Sequence, residues 1–289
     1  MKLNKLMRGK ACEQVVFALL RAVMLLVVAV VAYLLYDLVS KGYGVISWEF
    51  LTTLPRQGMT AGGILPAILG TCYVTLMTAV AAVPVGICAA IYLHEYARQN
   101  LFTRLIRLAI RNLAGVPSVV YGLFGVALFV QALKFGSSIL AAGLTLGLLT
   151  LPVTITATEE ALKTVPDAYR EGALALGAGK WQTISTIVLP SALPGIMTGL
   201  ILGVSRAAGE TAPLLFTGVA FYLPRIPSSL FSQFMALPYH LFILATQHHA
   251  ITQVRPLAYG TALVLVVLVV LLNLAAIIIR ARLRKKLRG

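Results

Sequence analysis

Six apolar runs, each long enough to cross a bilayer as a helix, dominate this chain. Crossing ~30 Å of hydrocarbon at 1.5 Å per residue takes ~20 apolar residues. The runs are Val15 to Leu35, Ile64 to Leu93, Leu113 to Leu133, Ile139 to about Ala157, Pro190 or Pro194 to about Phe216, and Leu257 to Ile279. Arg21 interrupts the first near its start, and Pro84 should kink the second. The first is too long for a signal-peptide core and is read as a retained helix. A seventh stretch, Ser229 to Ala245, carries Gln233, Pro238 and His240. It reads as an interfacial or re-entrant helix between the fifth and sixth spans. Were it to cross, the two ends would fall on opposite sides. The expected fold is therefore an all-α membrane protein with six transmembrane helices.

Composition excludes the main alternatives. Hydrophobic residues make up 59% of the 289 and charged residues 11%. Soluble domains run at about 45–50% and about 25%, so neither an ordinary soluble enzyme nor a disordered chain fits. The net charge of +15 invites a nucleic-acid reading until the charges are placed. With the N-terminus inside, 18 Lys and Arg fall on the inner side and 5 on the outer, with Arg206 inside a span. That bias predicts both termini in the cytoplasm. The basic tail after the last helix reads as a topology anchor beside anionic lipid.

Catalytic and metal motifs are absent. Gly179-Lys180 is followed by Trp181, which excludes a phosphate-binding P-loop. His94-Glu95 lacks the second histidine of a zinc-protease motif, and no Gly-x-Ser-x-Gly elbow occurs. Cys12, Cys72 and Cys88 match no zinc or redox spacing. His248-His249 read as a solvated loop pair rather than metal ligands, because no carboxylate or third histidine is near. Neither a cofactor nor an enzymatic activity is expected within the chain.

Two features remain. The inner loop from about Thr158 to Leu189 holds Glu159, Glu160, Asp167 and Glu171, four of the nine acidic residues. Tyr169 to Gly177 predicts a short helix stopped by glycine, and Lys180 to Val188 a second one ending at Leu189-Pro190. Such a compact unit is a handle for a partner. The fifth run carries the other feature. Gly195, Gly199, Gly203 and Ala207 recur every four residues, a small-x-x-x-small ridge for close helix packing. Arg206 and Glu210 are spaced i, i+4 and fall seven residues past Gly199 and Gly203, so they are expected to continue the glycine face. Charges in a span are costly and usually mark a pathway; the alternative is an ion pair that staples the bundle. Ser205 and Thr211 place hydroxyls nearby, and the planar fork of Arg206 suits a phosphate-like oxyanion. Glu210 would position Arg206 and keep anion binding weak enough for release.

The loop resembles a known motif. Glu171-Gly172-Ala173, three residues, Gly177, nine residues and Ile187-Val188-Leu189-Pro190 match the EAA loop of ABC-importer permeases, with Gly172 in place of the first alanine. Ala114 to Gly125 and Ser205 to Leu215 are similar to segments of the phosphate-type permeases. The resemblance spans roughly Ile64 to Ile279. It implies a type I ABC-importer permease fold, in which Glu171, Gly172, Ala173 and Gly177 form a coupling helix docked on a separate ATPase. It also implies partners: a second related permease, two ATPase subunits that use the ATP, and a periplasmic phosphate-binding protein facing the outer loops Lys41–Gly63 and Gly218–Pro256. Arg206, Glu210, Ser205 and Thr211 are then the expected substrate pathway, with Gly195, Gly199 and Gly203 for helix packing. The expected layout is an N-terminal segment with the first helix and outer loop (1–63), a permease domain (64–280) and a basic tail (281–289). The expected role is inorganic phosphate import across the inner membrane. Another oxyanion (molybdate, sulfate, phosphonate) or a non-transporting membrane sensor of the same fold are the alternatives.

Overall fold

The structure is a computed structural model that describes residues 2–288, with side chains described for 13–282 and Lys285. The side chains of the basic residues Lys2, Lys5, Arg8 and Lys10, and most of those of the 281–289 tail, lie outside the described ones.

The long helices follow the apolar runs. α1 spans Lys2–Gly42. A small cap follows, on the side that the charge bias predicts to be the outer one, with helix α2 (Trp48–Thr52) and a hairpin of β1 (Pro55–Arg56) and β2 (Ala61–Gly62); inner and outer are used below in that expected sense. Helix α3 (Leu65–Ile91) stays continuous through Pro84 and ends in a π-helical turn, Tyr92–Tyr96. Helices α4 (Leu101–Leu113) and α5 (Ser118–Gly125, extended by a π segment Val126–Ala132) come next. Then follow α6 (Ile139–Lys163), α7 (Asp167–Ala175), α8 (Lys180–Thr183), α9 (Leu189–Ala208), α10 (Ala212–Thr217), α11 (Leu237–Thr246) and α12 (Ile251–Arg288).

Local chemistry explains several boundaries. Ser47, Asn100 and Ser138 cap α2, α4 and α6 by accepting from the amides of Phe50, Thr103 and Ala141. Five threonines inside the apolar helices are satisfied locally: Thr71, Thr78, Thr145, Thr150 and Thr154 each donate to the carbonyl four residues back, whereas the buried hydroxyls of Thr75, Thr158 and Thr261 have no partner among the described residues. The back-bonding lets those five sit in an apolar core without an unpaired hydroxyl.

α3, α6 and α9 form the centre. Val74, Leu146, Tyr121, Leu214 and Phe234 pack between α3, α5, α6, α10 and the α10–α11 segment. Ile91, Leu162, Ile184, Val188 and Ile196 close the inner end. Phe50, Met59, Met235, Ile243 and Val254 close the outer end beneath the cap. α1 stands apart from this core, touching α12 where Gly42 meets the Tyr259 carbonyl.

Five helices are long and apolar enough to cross, and six when the bent pair α4–α5 counts as one. Several expected boundaries change. The third run does not begin at Leu113, which ends α4. The chain turns by 101° before α5, because Pro117 lacks an amide donor and holds Val116 out of helical geometry. The fifth run starts earlier and ends sooner. α8, a π segment (Ile184–Val188) and α9 form one helix from Lys180 to Ala208, and Leu214 to Phe216 belong to the separate α10. The helix passes through Pro190 instead of ending there. The π turn precedes it, a register shift of the kind that absorbs a proline's missing donor. The inner loop accordingly shrinks to 164–179. The stretch Ser229 to Ala245 yields only the ten-residue α11, about 15 Å long, buried through Leu237, His240 and Leu244. It does not span.

His248 is also not a solvated loop residue. It is 3% exposed; its Nε2 donates to the Gly58 carbonyl at 2.7 Å and its Nδ1 accepts from Ala250 at 3.1 Å. It pins α12's approach to the outer cap. Among the described residues no group of His, Cys, Asp and Glu is set to hold a metal ion.

Candidate translocation site and coupling surface

The glycine ridge of α9 packs on α6. A Cβ on Gly199 would run into the Cβ of Ala157, and one on Gly195 would lie 2.9 Å from that of Ala161. Gly203 is looser, with Val153 Cγ1 at 3.9 Å. Two substitutions therefore separate. Gly199→Ala is expected to destabilise by about 1–3 kcal/mol through overpacking. Gly203→Ala is expected to be neutral or stabilising by up to about 1 kcal/mol, since alanine favours the helix. Thermal unfolding of the purified assembly reads both.

Arg206 does not continue the buried face. Rows of every fourth residue wind around a helix by about 40° per step, and the packed neighbour follows the row. At the end of α9 the buried positions are Ala207 and Ala208, while the Arg206 side chain is 59% exposed. α9 also stops before Glu210. The amides of Gly209 and Glu210 fold back to the carbonyls of Arg206 and Ala207 at 3.1 and 3.2 Å. Glu210 lies in the break before Pro213, on the non-helical linker to α10.

The two charges still meet. Arg206 Nε is 3.5 Å from Glu210 Oε1, and Glu210 is mostly buried, at 16% exposure. The carboxylate engages the Nε side of the guanidinium. The two terminal nitrogens hydrogen-bond to nothing among the described residues. Depth can be read from α6. Gly203 faces Val153 and Thr154, about 15 Å from the inner end of a helix about 37 Å long. Arg206, one turn further, sits near mid-depth. An arginine there cannot face lipid at acceptable cost, so its open side must meet water or another chain.

The expected pathway set is only partly assembled. Ser205 turns to α12 and donates to Asn273 Oδ1, also touching the Ile201 carbonyl. Thr211 stands at the start of α10, half-buried, and makes no cap hydrogen bond. Arg206, Glu210 and Thr211 therefore surround the helix break, while Ser205 is a packing contact. Asn273, the only asparagine of the last apolar run, is the polar residue that signalled this contact.

The inner surface carries α7. Asp167 opens it, and Gly177 ends the turn at φ +84°, the left-handed geometry glycine adopts without penalty. Glu171 and Gly172 are exposed, Ala173 is buried and Leu174 is half-exposed. Nothing lies within 4 Å of a Cβ built on Gly172. Gly172→Ala should thus stabilise α7 by up to about 1 kcal/mol; a raised midpoint of thermal unfolding is the expected result.

A buried ionic network beneath α7 was not singled out from the sequence. Arg170 Nη2 lies 2.9 Å from Glu95 Oε1, and Arg170 Nη1 donates to Asp167 at 3.1 Å and to the Val165 carbonyl at 2.8 Å. Glu95 also meets His94 at 3.0 Å. Beside it, Arg107 donates to Glu159 at 3.1 Å and to the Leu93 carbonyl at 2.7 Å. Glu95 is 8% exposed and Arg170 16%. The network ties α7 to the π-helical end of α3, and α4 to α6. The available signal was two scarce carboxylates at the inner ends of apolar runs, each matched by an arginine on the inner side.

Crossing helices, a mid-depth arginine at a helix break and an exposed inner helix are features that a membrane permease subunit needs. The chain belongs to the family described as the binding-protein-dependent transport system inner membrane component, whose pattern matches residues 82–289. It is thus a multi-pass inner-membrane protein. It is 33% identical over 274 residues to the probable ABC transporter permease protein YqgI of Bacillus subtilis, covering 91% of this chain and 92% of that one. It is 38% identical over 255 residues to the phosphate transport system permease protein PstA 1 of Mycobacterium tuberculosis, covering 86% and 82%. It is 36% identical over 253 residues to PstA of Yersinia pestis, covering 86% and 83%. Among solved structures, a chain of the MetNI methionine ABC transporter in an inward-facing conformation superposes at TM-score 0.61, 17% identity, covering 76% of this chain and 95% of that one. A chain of a bacterial ABC transporter for alginate import gives 0.55 at 13% identity, covering 78% and 80%. Both support the type I importer permease fold.

Proposed function

We propose that this chain is one of the two permease subunits of an ATP-driven importer of inorganic phosphate. The observation that carries the reading is the Arg206 guanidinium at mid-depth, held by Glu210 on one edge and open on the other. A planar fork of donors with two unused terminal nitrogens matches the oxygens of a tetrahedral oxyanion. The names of the relatives, phosphate transport permeases at 36–38% identity, supply the choice of phosphate among oxyanions.

In this reading a periplasmic phosphate-binding protein delivers its ligand to the outer cap and the 218–256 segment. A related, PstC-like permease covers the open side of Arg206, so the pathway lies between the two chains. Glu210 offsets the arginine's charge and keeps the anion from being trapped. Two PstB-like ATPase subunits bind below, with α7 in a surface cleft of one of them. Their closure moves α7, and the Arg170–Glu95 pair passes the movement to α3. Both termini lie in the cytoplasm, as the distribution of basic residues supports.

The test is reconstitution of the four-component importer in proteoliposomes with radiolabelled phosphate. Uptake that requires ATP and binding protein, and that resists competition by sulfate and molybdate, is the expected result. Competition by another oxyanion would reassign the substrate. ATP hydrolysis without any uptake would favour a sensor of the same fold.

A further inference from the structure

The outer end of α1, the helix α11 and the first turns of α12 each turn one face toward a common groove. Arg255, Ala258, Tyr259 and Ala262 are spaced i, i+3, i+4, i+7 along α12 and so share one stripe. Leu38 and Lys41 are spaced i, i+3 on α1, and Leu241 and Leu244 likewise on α11. The groove between these faces has a volume of about 420 Å³; Leu38, Leu241, Leu244, Ala258 and Ala262 wall it, together with Arg255 and Tyr259. A second hollow of about 470 Å³ adjoins it. Arg255 and Tyr259 line both, and Lys41 and Thr252 line the second. Positive charge is thus part of the groove's own lining.

The two ends of the groove differ in chemistry. α12 runs inward from Ile251 and its apolar run begins at Leu257, so Arg255 stands at the outer boundary of the membrane. Ala262 lies about 10 Å deeper. On α1, which runs the opposite way, Leu38 lies about one turn deeper than Lys41. Tyr259 is half-buried between the two levels, where aromatic rings with a polar tip collect. Only five basic residues fall on the expected outer side, and the fold gathers two of them here. Lys41 pairs with Asp37 at 2.5 Å, and its Nζ lies 5.2 Å from the centre of the Tyr259 ring. Arg255 is exposed and has no carboxylate partner among the described residues. Lys41, Arg255 and Asp37 together leave one positive charge in excess at the mouth of an apolar slot.

We propose that this groove binds an anionic phospholipid of the outer leaflet, with the headgroup phosphate on Arg255 and Lys41 and one acyl chain along Ala258, Ala262 and Leu38. A phospholipid presents its anion at the membrane boundary and its apolar chain deeper, the order in which the groove presents its fork of donors and its slot. An apolar partner helix would leave Arg255 unmatched. An acidic side chain of a water-soluble partner would reach Arg255 but leave the slot below Tyr259 unfilled. The site is separate from Arg206, which lies near mid-depth on α9.

The test places a photoreactive residue at position 241, in the wall of the groove, in the assembled importer reconstituted in vesicles of equal phosphatidylglycerol and phosphatidylcholine. Mass spectrometry identifies what is labelled on illumination. Phosphatidylglycerol should be labelled in preference to phosphatidylcholine. R255Q should lower that preference by about fivefold, the share of one basic residue at a lipid surface, and R255K should keep most of it. Lys41→Gln should lower it less, because Asp37 already holds part of that charge. Ala262→Leu, which fills the deep end of the slot, should reduce labelling of both lipids. Equal labelling of the two lipids by the parent assembly overturns the proposal, as does an unchanged preference in R255Q. Labelling of another protein subunit from position 241 overturns it too, and assigns the groove to that partner.

Discussion

Arg206→Gln is expected to reduce phosphate uptake by about 10- to 100-fold in an importer that still assembles and hydrolyses ATP. The substitution removes a charged donor, and hydrogen bonds to charged groups contribute about 1.5–3 kcal/mol. Arg206→Lys should fall between, because it keeps the charge and loses the fork. Glu210→Gln should do less harm to entry and more to release, since it leaves the arginine uncompensated. Radiolabelled uptake at matched expression, with ATPase activity measured alongside, checks all three. Full uptake by both Arg206→Gln and Glu210→Gln would leave the pair as a structural staple only.

Breaking the network under α7 should uncouple the motor. Arg170→Leu leaves Glu95 nearly buried with only His94 beside it. Removing one member of a buried pair costs about 3–5 kcal/mol, enough to detach α7 from α3 locally. The expected outcome is phosphate transported per ATP lowered by at least about tenfold, the equivalent of 1.4 kcal/mol of lost coupling, with ATP hydrolysis retained. Glu95→Gln, which keeps a hydrogen-bond acceptor, should lose less. Equal loss of hydrolysis and uptake in Arg170→Leu would mean that the pair serves docking or folding instead of transmission.

These two sites differ in how far they could be read in advance. Arg206 and Glu210 announce themselves, because charges are rare in apolar runs and their i, i+4 spacing fixes their nearness. The helix of the inner loop is equally legible: α7 forms over the expected residues, and Gly177 takes the positive φ that a glycine stop demands. The Glu95–Arg170 contact is not legible, for it joins residues 75 apart in the chain, and no local pattern reports such a pairing. Ser205 shows the reverse error. It neighbours Arg206 in sequence, yet one helical step rotates it by about 100° and delivers it to Asn273 of α12.

Element boundaries failed for a common reason. Hydropathy measures what a segment would bury, whereas prolines and glycines decide where the helix stops. Pro117 ends one element, the π turn carries another through Pro190, and α9 stops at Gly209 although apolar residues continue to Phe216.

The sequence by itself determined that this is a multi-pass membrane chain, where its apolar runs lie and where the loop helix α7 forms. Those follow from length, transfer energy and local spacing, which act along the chain. Only the tertiary structure decided that α11 is buried without crossing, that Glu95 holds Arg170, and that Arg206 faces outward from the bundle. The last depends on which side of α9 the neighbouring α6 covers. A glycine ridge that winds by about 40° per step carries its partner away from the arginine, and so leaves the charge open.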